Sequence, residues 1–171
     1  MQQAIDFQQE SESLAEALID LEDIDFKQKT QFKGWTIEDI LGHLHMFNVA
    51  ADLTLEDGAK FKSFFSRIEN EMASGKTLLQ SQYPWLNGLS GRLLYTAWIE
   101  GSRKIAQKYE IADPKTRVKW AGPEMSARSS ITARQMETWA HGHEIFDILG
   151  IKRKEFDRIK NIVFVGVNTF N

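Results

Sequence analysis

Apolar residues recur at spacings of three and four along most of this 171-residue chain, whereas the alternation expected of β-strands is scarce. Proline occurs only at positions 84, 114 and 123, in stretches that we expect to be loops. The pattern predicts four long helices, over residues 3–21, 37–55, 91–109 and from a cap at Ser129 or Ser130 to about residue 149. Four long helices joined by moderate loops predict an all-α fold of the helical-bundle type.

Start and stop signals support these helices, and shorter elements are expected between and after them. Thr36 has the character of an N-cap, with Asp39 three residues later as an approximate capping box, and Gly150 is a good stop residue. A shorter helical piece is predicted over residues 59–73, and a last helix is predicted to start near Glu155. Acidic residues are expected on the solvent face of the first helix.

The length of the chain fits one domain over residues 1–171. Residues 162–167 are apolar, and the chain stops soon afterwards, at Asn171, without a clear capping signal. We expect either that a C-terminal part of the domain is missing or that the last helix has a natural, frayed end.

Composition narrows the class of protein. With 42% hydrophobic and 26% charged residues, the chain is typical of a soluble globular protein. A net charge of -3 and the lack of a basic block argue against nucleic-acid binding, and no apolar run reaches membrane-spanning length. The absence of cysteine excludes a Cys nucleophile, Cys-ligated zinc and disulfides. With no signal-peptide pattern at the N-terminus, we expect a cytoplasmic protein.

The four histidines form two pairs with two-residue spacing, one on the second helix and one on the fourth. Residues two apart point about 200° apart on a helix, so the members of each pair face different sides. His43 lies beside the apolar stripe of its helix and is expected to point inward, whereas His45 lies closer to the polar side. Glu137 and His141 are four residues apart and share a face that is partly inward. His143 is expected to be exposed.

A Glu/His pair on one helix, together with one His of a neighbouring helix, is a candidate three-ligand set for a divalent metal. Zinc accepts imidazole nitrogen and carboxylate oxygen, and its catalytic sites keep a fourth position for water. Nickel or iron suit the same ligands. Spacing alone is weak evidence, because such pairs are common in helices. A solvated pair, or histidines that are hydrogen-bonded in the core, is the usual interpretation.

Two segments resemble a known family. Residues 34–48, GWTIEDILGHLHMFN, resemble the GWT-x-x-D-x-x-x-HL segment of the DinB-like superfamily, and within it the metal-binding N-terminal domain of mycothiol-dependent maleylpyruvate isomerases. Residues 120–150, WAGPEMSARSSITARQMETWAHGHEIFDILG, are similar to an uncharacterised branch of that group, which reads W-x-GP-x-MSA, then TAR-x-METWAHG, then D-x-LG.

The resemblance implies a DinB-like four-helix bundle with an extra short helix and long connecting loops. It also implies a divalent metal bound by His43, the His of the HL dipeptide, and by Glu137 and His141 of the METWAH segment. Trp35 matches the Trp that precedes the family's second helix and is expected in the core. The isomerases carry a second, C-terminal domain that contributes to their active site. We expect this chain to hold the metal without that contribution.

The function implied by the resemblance is that of a metal-dependent isomerase or S-transferase that uses a small thiol: mycothiol, glutathione or bacillithiol. A cation stabilises thiolate over thiol, and the thiolate can attack an electrophilic carbon of a small substrate. Hydrolysis by an activated water is a close variant. Two alternatives stay open. One is a non-catalytic metal-binding bundle, acting as a stress or partner-binding module or as a homodimer. The other is a bundle whose histidines bind no metal.

Four further residues near the candidate ligands each have a functional and a structural interpretation. Arg134 could bind an acidic substrate or pair with the Glu one turn later, although an ordinary salt bridge is simpler. Ser126 and Trp120 could line the mouth of a pocket or only pack within their loop. Glu144 is the nearest candidate for a fourth ligand, which a structural metal site would require.

Overall fold

The computed structural model describes residues 1–169 of the chain, with side chains as far as residue 164. Within this range, seven α-helices and one two-stranded sheet follow one another. They are α1 (Gln2–Leu18), α2 (Ile37–Glu56), α3 (Gly58–Ala73), α4 (Leu78–Leu86), α5 (Gly91–Ile111), β1 (Arg117–Val118), β2 (Met125–Ser126), α6 (Ala127–Ile148) and α7 (Lys160–Thr169). None of the helices in residues 1–169 is both long enough and apolar enough to cross a membrane.

The four long helices, α1, α2, α5 and α6, form a bundle in which α1 and α2 each pack against both α5 and α6. The predicted all-α, DinB-like bundle is therefore confirmed, and its four members are the predicted ones. The core between them is built from apolar side chains such as Leu14, Leu18, Ile40, Leu44, Trp98 and Ile145. Because α2 and α6 are neighbours in the bundle, residues on their facing sides can meet.

The start of α2 follows the predicted capping box. Thr36 Oγ1 accepts a hydrogen bond from the Asp39 N–H at 3.1 Å, and Asp39 Oδ2 accepts one from the Thr36 N–H at 2.9 Å. Trp35, the residue before the cap, is buried as expected. These bonds satisfy two N–H groups at the helix end and fix where α2 begins, and thereby the position of His43 along it.

Helix α4 was not predicted, because Pro84 suggested a loop. The prediction was wrong: Pro84 lies inside α4. A proline in a helix removes one N–H donor and disfavours the preceding turn. This helix is short, however, and it begins with a complete capping box between Thr77 and Gln80, which was not recognised in the sequence. The capping box and tertiary packing thus outweigh the effect of the proline.

Helix α4 packs closely against α2 at Gly42, the residue before His43. Gln82 is buried and donates a hydrogen bond to Asp39 O at 3.0 Å. A glycine at position 42 permits this approach, since a Cβ atom there would lie 2.8 Å from Leu86 Cδ1. The contact brings the beginning of α4 to the same side of the bundle as the candidate metal ligands.

Helix α6 begins at a different serine from the two predicted. Its N-cap is Ser126, whose Oγ accepts a hydrogen bond from the Ser129 N–H at 3.1 Å. Ser130 is instead buried and hydrogen-bonded to the Tyr109 hydroxyl at 3.0 Å. The sequence offered three serines in five residues, and the antiparallel pairing of β1 with β2, which was not predicted, selects the first of them.

The end of α6 is the predicted one. Gly150 has a φ of +65°, in the left-handed region that glycine adopts without strain. Its N–H donates to Asp147 O at 3.1 Å, and the Ile151 N–H donates to Phe146 O at 3.0 Å. These two bonds form a Schellman motif, which satisfies the last carbonyl groups of the helix.

The C-terminal segment covers a face of α1 that was expected to be solvated. Glu10, on that face, is 2% exposed. Arg158 Nε lies 2.8 Å from Glu10 Oε2, and Arg153 binds the other carboxylate oxygen. The segment then forms a 3₁₀ turn at Asp157–Ile159 before α7, so the last helix starts later than predicted. The prediction about the chain end at Asn171, either a missing C-terminal part or a frayed helix end, concerns residues outside those that the structure describes.

Candidate metal centre

The structure brings the three predicted metal ligands together. His43 lies on α2, and Glu137 and His141 lie one turn apart on α6. One potential ligand atom from each residue can be chosen so that all three lie within 4.8 Å of one another. Glu137 Oε2 lies 3.2 Å from the Nε2 atom of each histidine. The carboxylate therefore sits between two imidazoles that come from different helices.

Aromatic side chains hold the two imidazole rings. The ring centroids of His43 and His141 are 4.8 Å apart, at an interplanar angle of 70°. The Trp35 ring lies parallel to His141 with centroids 6.3 Å apart, and the edge of Phe32 contacts the same imidazole at 4.9 Å. His43 is 6% exposed. Both rings therefore have few orientations open to them, which favours a preorganised site.

The electrostatics of the cluster favour a carboxylate and a neutral imidazole. Burial alone would raise the pKa of Glu137, but hydrogen bonds from His141 and His43 and the positive charge of Arg134 outweigh it and hold that pKa well below its ordinary value. Burial lowers the pKa of His43, although its hydrogen bond with Glu137 opposes this. A carboxylate and neutral imidazoles are the forms that bind metal ions.

The donor set fits a divalent cation. Ligands at about 2.0 Å from a tetrahedral zinc ion lie about 3.3 Å from one another, close to the 3.2 Å that separates Glu137 Oε2 from each imidazole nitrogen. Among the described residues, the cluster contains only these three. Glu144, the candidate for a fourth ligand, does not belong to it. Three ligands without a fourth resemble the donor sets of catalytic rather than structural zinc sites.

The three residues line a cavity of about 480 Å³. Its other walls come from the loop before α2 and from the beginning of α4, through Phe32, Lys33, Trp35, Thr77, Leu78 and Leu79. Most of this lining is apolar. Small-molecule sites commonly combine such walls with a few convergent polar groups.

The other two histidines lie apart from the cluster. His143 is exposed, 3.8 Å from Asp147, as predicted. His45, expected closer to the polar side than His43, is indeed less buried than His43, but it still packs against Trp85 with ring centroids 5.4 Å apart, and its partial burial lowers its pKa to about 4. The reason is that α2 contacts helices on several sides, namely α3, α4, α5 and α6. A helix enclosed in this way has little polar face.

Arg134 is not part of an ordinary surface salt bridge. It is 2% exposed, and its Nε donates to Asn48 Oδ1 on α2 at 3.1 Å. Burial lowers the pKa of Arg134 to about 10, so it stays protonated at neutral pH. Its Nη2 has no hydrogen-bond partner among the described residues. Among the described residues, Arg134 makes no direct salt bridge with Glu137. It acts on Glu137 through its positive charge at longer range.

Ser126 and Trp120 have structural roles. Ser126 caps α6, and the Trp120 ring stacks on Phe61 with centroids 5.6 Å apart. Neither belongs to the described lining of the cavity. The lining residues at the start of α4 were missed because α4 was not predicted. Lys33 was missed because a single lysine in a charged loop carries no distinguishing signal.

Comparison with known proteins relates most of this chain to a family. The family described as the mycothiol maleylpyruvate isomerase N-terminal domain matches residues 7–146. Two uncharacterized proteins of Mycobacterium tuberculosis, from two strains, are each 30% identical to this chain over 164 residues. The matched region covers 96% of this chain but only 63% of each relative.

One solved structure shares the fold. The crystal structure of a mutant of the mycothiol-dependent maleylpyruvate isomerase superposes with a TM-score of 0.60, over 84% of this chain and 59% of that one. The two sequences are 11% identical in this comparison. At that identity the match supports the same helical architecture, and the chemistry of the site has to be argued from its own residues.

Proposed function

This chain belongs to the mycothiol maleylpyruvate isomerase N-terminal domain family, and from that membership we propose that it binds a divalent metal ion and uses a low-molecular-weight thiol. The reaction would be an isomerisation of an electrophilic small molecule or an S-transfer to it. The structural neighbour supports the fold, and the description of the matched family suggests the kind of chemistry. The metal, the thiol and the substrate are part of the proposal.

The observation that carries the proposal is the position of Glu137 Oε2, 3.2 Å from the Nε2 atoms of both His43 and His141. Two imidazoles and one carboxylate would hold the ion. Zinc is the metal proposed first, because it accepts both donor types and tolerates three protein ligands. Nickel and iron accept the same donors and have to be tested beside it.

A divalent cation in this position would favour the thiolate form of a bound thiol over the neutral thiol. The residues of the chain would supply the rest of the site. Phe32, Trp35, Leu78 and Leu79 would exclude water from the thiol and its partner, which strengthens electrostatic interactions in the cavity. The buried charge of Arg134 helps to keep Glu137 ionised and hence able to hold the cation.

A thiolate in this cavity can donate a sulfur electron pair to an electrophilic carbon, which forms a C–S bond. If the substrate is an alkene conjugated to a carbonyl group, the electron pair of the attacked double bond moves onto that group as an enolate, and the former double bond becomes single and can rotate. Expulsion of the sulfur then restores the alkene and releases the thiol unchanged, which is an isomerisation. If the C–S bond persists and the neighbouring carbon of the former double bond takes up a proton, the product is a thioether and the reaction is an S-transfer.

Metal content tests the first part of the proposal. Untagged wild-type protein, supplied with zinc and nickel, is expected to retain about one ion per chain by mass spectrometry. His43→Ala and Glu137→Gln should lose it. His143→Ala is the matched control, since His143 lies on the same helix as Glu137 but outside the cluster, and it should retain the ion. Circular dichroism on each variant would show that loss of metal does not reflect loss of the fold.

Two results would overturn the proposal. Wild-type protein without metal after supplementation would favour the bundle whose histidines bind no ion. Metal-loaded protein that binds neither charged nor uncharged small thiols would favour the non-catalytic metal-binding module. The cavity beside the three ligands supports the enzyme over that module, because a purely structural site needs no space for a ligand.

A further inference from the structure

The loop over residues 29–36 forms one wall of the cavity and is held in place by its own backbone. Lys29 and Thr36 form an antiparallel bridge. The Thr30 N–H donates to Trp35 O at 2.8 Å, and the Trp35 N–H donates to Phe32 O at 2.9 Å. The tip of this loop, Lys33, therefore has a defined position at the cavity.

The backbone at the tip is unusual. Lys33 has a φ of +54° and is followed by Gly34 with a φ of +70°. Glycine adopts this left-handed region freely, but lysine does so only at an energetic cost. Strained backbone of this kind concentrates at ligand-binding and active sites. The loop thus accepts strain at the residue that faces the cavity.

Lys33 has no described carboxylate partner. Its Nζ lies 5.2 Å above the Phe32 ring, and Phe32 in turn contacts the imidazole of His141. Lys27, in the 3₁₀ turn that precedes this loop, instead pairs with Glu38 at 2.5 Å. Among the described residues that line the cavity, Lys33 and Glu137 are the two with a permanent charge. Lys33 is exposed, and with Glu137 committed to the histidines and a cation, its ammonium would be the charged group of the cavity wall that a ligand can meet.

We propose that Lys33 is a specificity-determining residue that binds a carboxylate of the ligand entering the cavity. The inference rests on the proposed function and adds the ligand class: a thiol or an electrophile that bears a carboxylate. The apolar walls would take the body of the ligand, while the flexible lysine stem adapts to the position of its carboxylate. Ammonium–carboxylate hydrogen bonds are stronger than neutral ones, so loss of the charge should weaken binding measurably.

The test measures binding by calorimetry to zinc-loaded protein with three probes. Glutathione is a thiol with carboxylates, 2-mercaptoethanol is a thiol without one, and succinate is a carboxylate without a thiol. Lys33→Met removes the charge and keeps the stem, and Lys33→Arg keeps the charge. Lys29→Met is the matched control, because Lys29 is exposed on the same loop but does not line the cavity. Metal content, measured on every sample, should be unchanged by all three substitutions.

Lys33→Met is expected to weaken glutathione binding about tenfold, which corresponds to the loss of one charge-assisted hydrogen bond. Binding of 2-mercaptoethanol should be unaffected, and both Lys33→Arg and Lys29→Met should resemble the wild type. If the carboxylate belongs to the electrophile, succinate binding rather than glutathione binding will weaken in Lys33→Met. Either pattern supports the proposal and assigns the carboxylate.

Equal binding of glutathione and succinate by the wild type and Lys33→Met would overturn this inference and leave the proposed function intact. Failure of the proposed function has a different signature: no retained metal, or no binding of either thiol. In that case succinate binding still decides whether Lys33 recognises anions. The two proposals can therefore fail separately.

Discussion

Two hydrogen-bond donors and one positively charged side chain act on the carboxylate of Glu137. One of its oxygens receives hydrogen bonds from His43 and His141, and the buried charge of Arg134 adds to their effect. A cation held by this oxygen and the two imidazole nitrogens would take the place of the two imidazole protons. In the metal-free protein the carboxylate thus keeps the two histidines close together, and in the metal-bound protein it would neutralise part of the charge of the ion.

His45 is predicted to make the metal-free protein sensitive to mild acid. Burial lowers its pKa in the folded protein to about 4, below the ordinary value of 6.5. As the pH falls, the unfolded chain therefore binds the proton first. The stability contributed by neutral His45 is complete above about pH 6.5 and is lost between about pH 6.5 and 4.

The prediction is checked by urea unfolding in the presence of a chelator. Between about pH 7.5 and 4.5, the free energy of unfolding of the wild type should fall by about 2 kcal/mol more than that of His45→Gln. His143→Gln is the control, since that imidazole is exposed, and it should follow the wild type. A parallel fall in wild type and His45→Gln would contradict the burial of His45.

Residues differ in how well the sequence predicts them, and the site shows why. His43, Glu137 and His141 could be proposed from helical spacing and family resemblance, because regular helices carry spacing directly into space. Lys33 could not, and for Arg134 the sequence suggested a role near Glu137 but not its burial. The role of Lys33 depends on a loop conformation, and the burial of Arg134 depends on how closely α6 approaches α2. Neither property is encoded within a few residues of the side chain itself.

Helix α2 carries His43 and contacts four other helices. Its capping box is therefore expected to matter for the whole fold. Thr36→Ala should lower the free energy of unfolding by about 1 kcal/mol. Thr77→Ala, which removes the equivalent cap of the short helix α4, should mainly increase local opening of α4.

Urea unfolding and amide hydrogen exchange separate these two effects. Thr36→Ala should shift the global unfolding midpoint, whereas Thr77→Ala should increase exchange in α4 with a smaller shift. A global loss for Thr77→Ala as large as that for Thr36→Ala would mean that α4 unfolds only together with the bundle. The pair also bears on the cavity, because Thr77 lies on its wall.

The helices that were predicted correctly are those in which periodicity, capping residues and helix-breaking residues all indicate the same bounds. Helix α2 has periodicity, a capping box and a clear break at Asp57, and its observed bounds are within one residue of the prediction. Helix α4 has conflicting signals, because Pro84 suggests a loop while the Thr77 box predicts a start. Tertiary packing decides such conflicts, and packing against Gly42 is not visible in a single sequence.

At the level of the whole molecule, periodicity predicted the number of long helices but not their neighbours. The order α1, α5, α2, α6 around the bundle makes α2 and α6 adjacent and so allows a site shared between them. The C-terminal segment was predicted least well. Its docking depends on Glu10, a residue expected on a solvated face, and on two arginines more than 140 positions later.

That docking gives a prediction for the molecule as a whole. The side chains of Arg153 and Arg158 are only 6% and 9% exposed, and both bind the carboxylate of Glu10. Removing one partner of a buried ion pair leaves charge without compensation in a low-dielectric environment. Glu10→Gln should therefore reduce the free energy of unfolding by about 3 kcal/mol. It should also expose the segment after Gly150 to limited proteolysis before the bundle unfolds.

Glu12→Gln is the matched control for Glu10→Gln. Glu12 lies on the same helix and binds Arg103 through both oxygens, at 2.7 and 2.8 Å, but these side chains are 34% and 49% exposed. An exposed pair contributes about 1 kcal/mol or less, and salt screens it. High salt should thus abolish the small effect of Glu12→Gln and leave that of Glu10→Gln largely intact. Equal, salt-sensitive effects of the two substitutions would show that the C-terminal segment does not shield Glu10, and that the fold is held by the four-helix bundle alone.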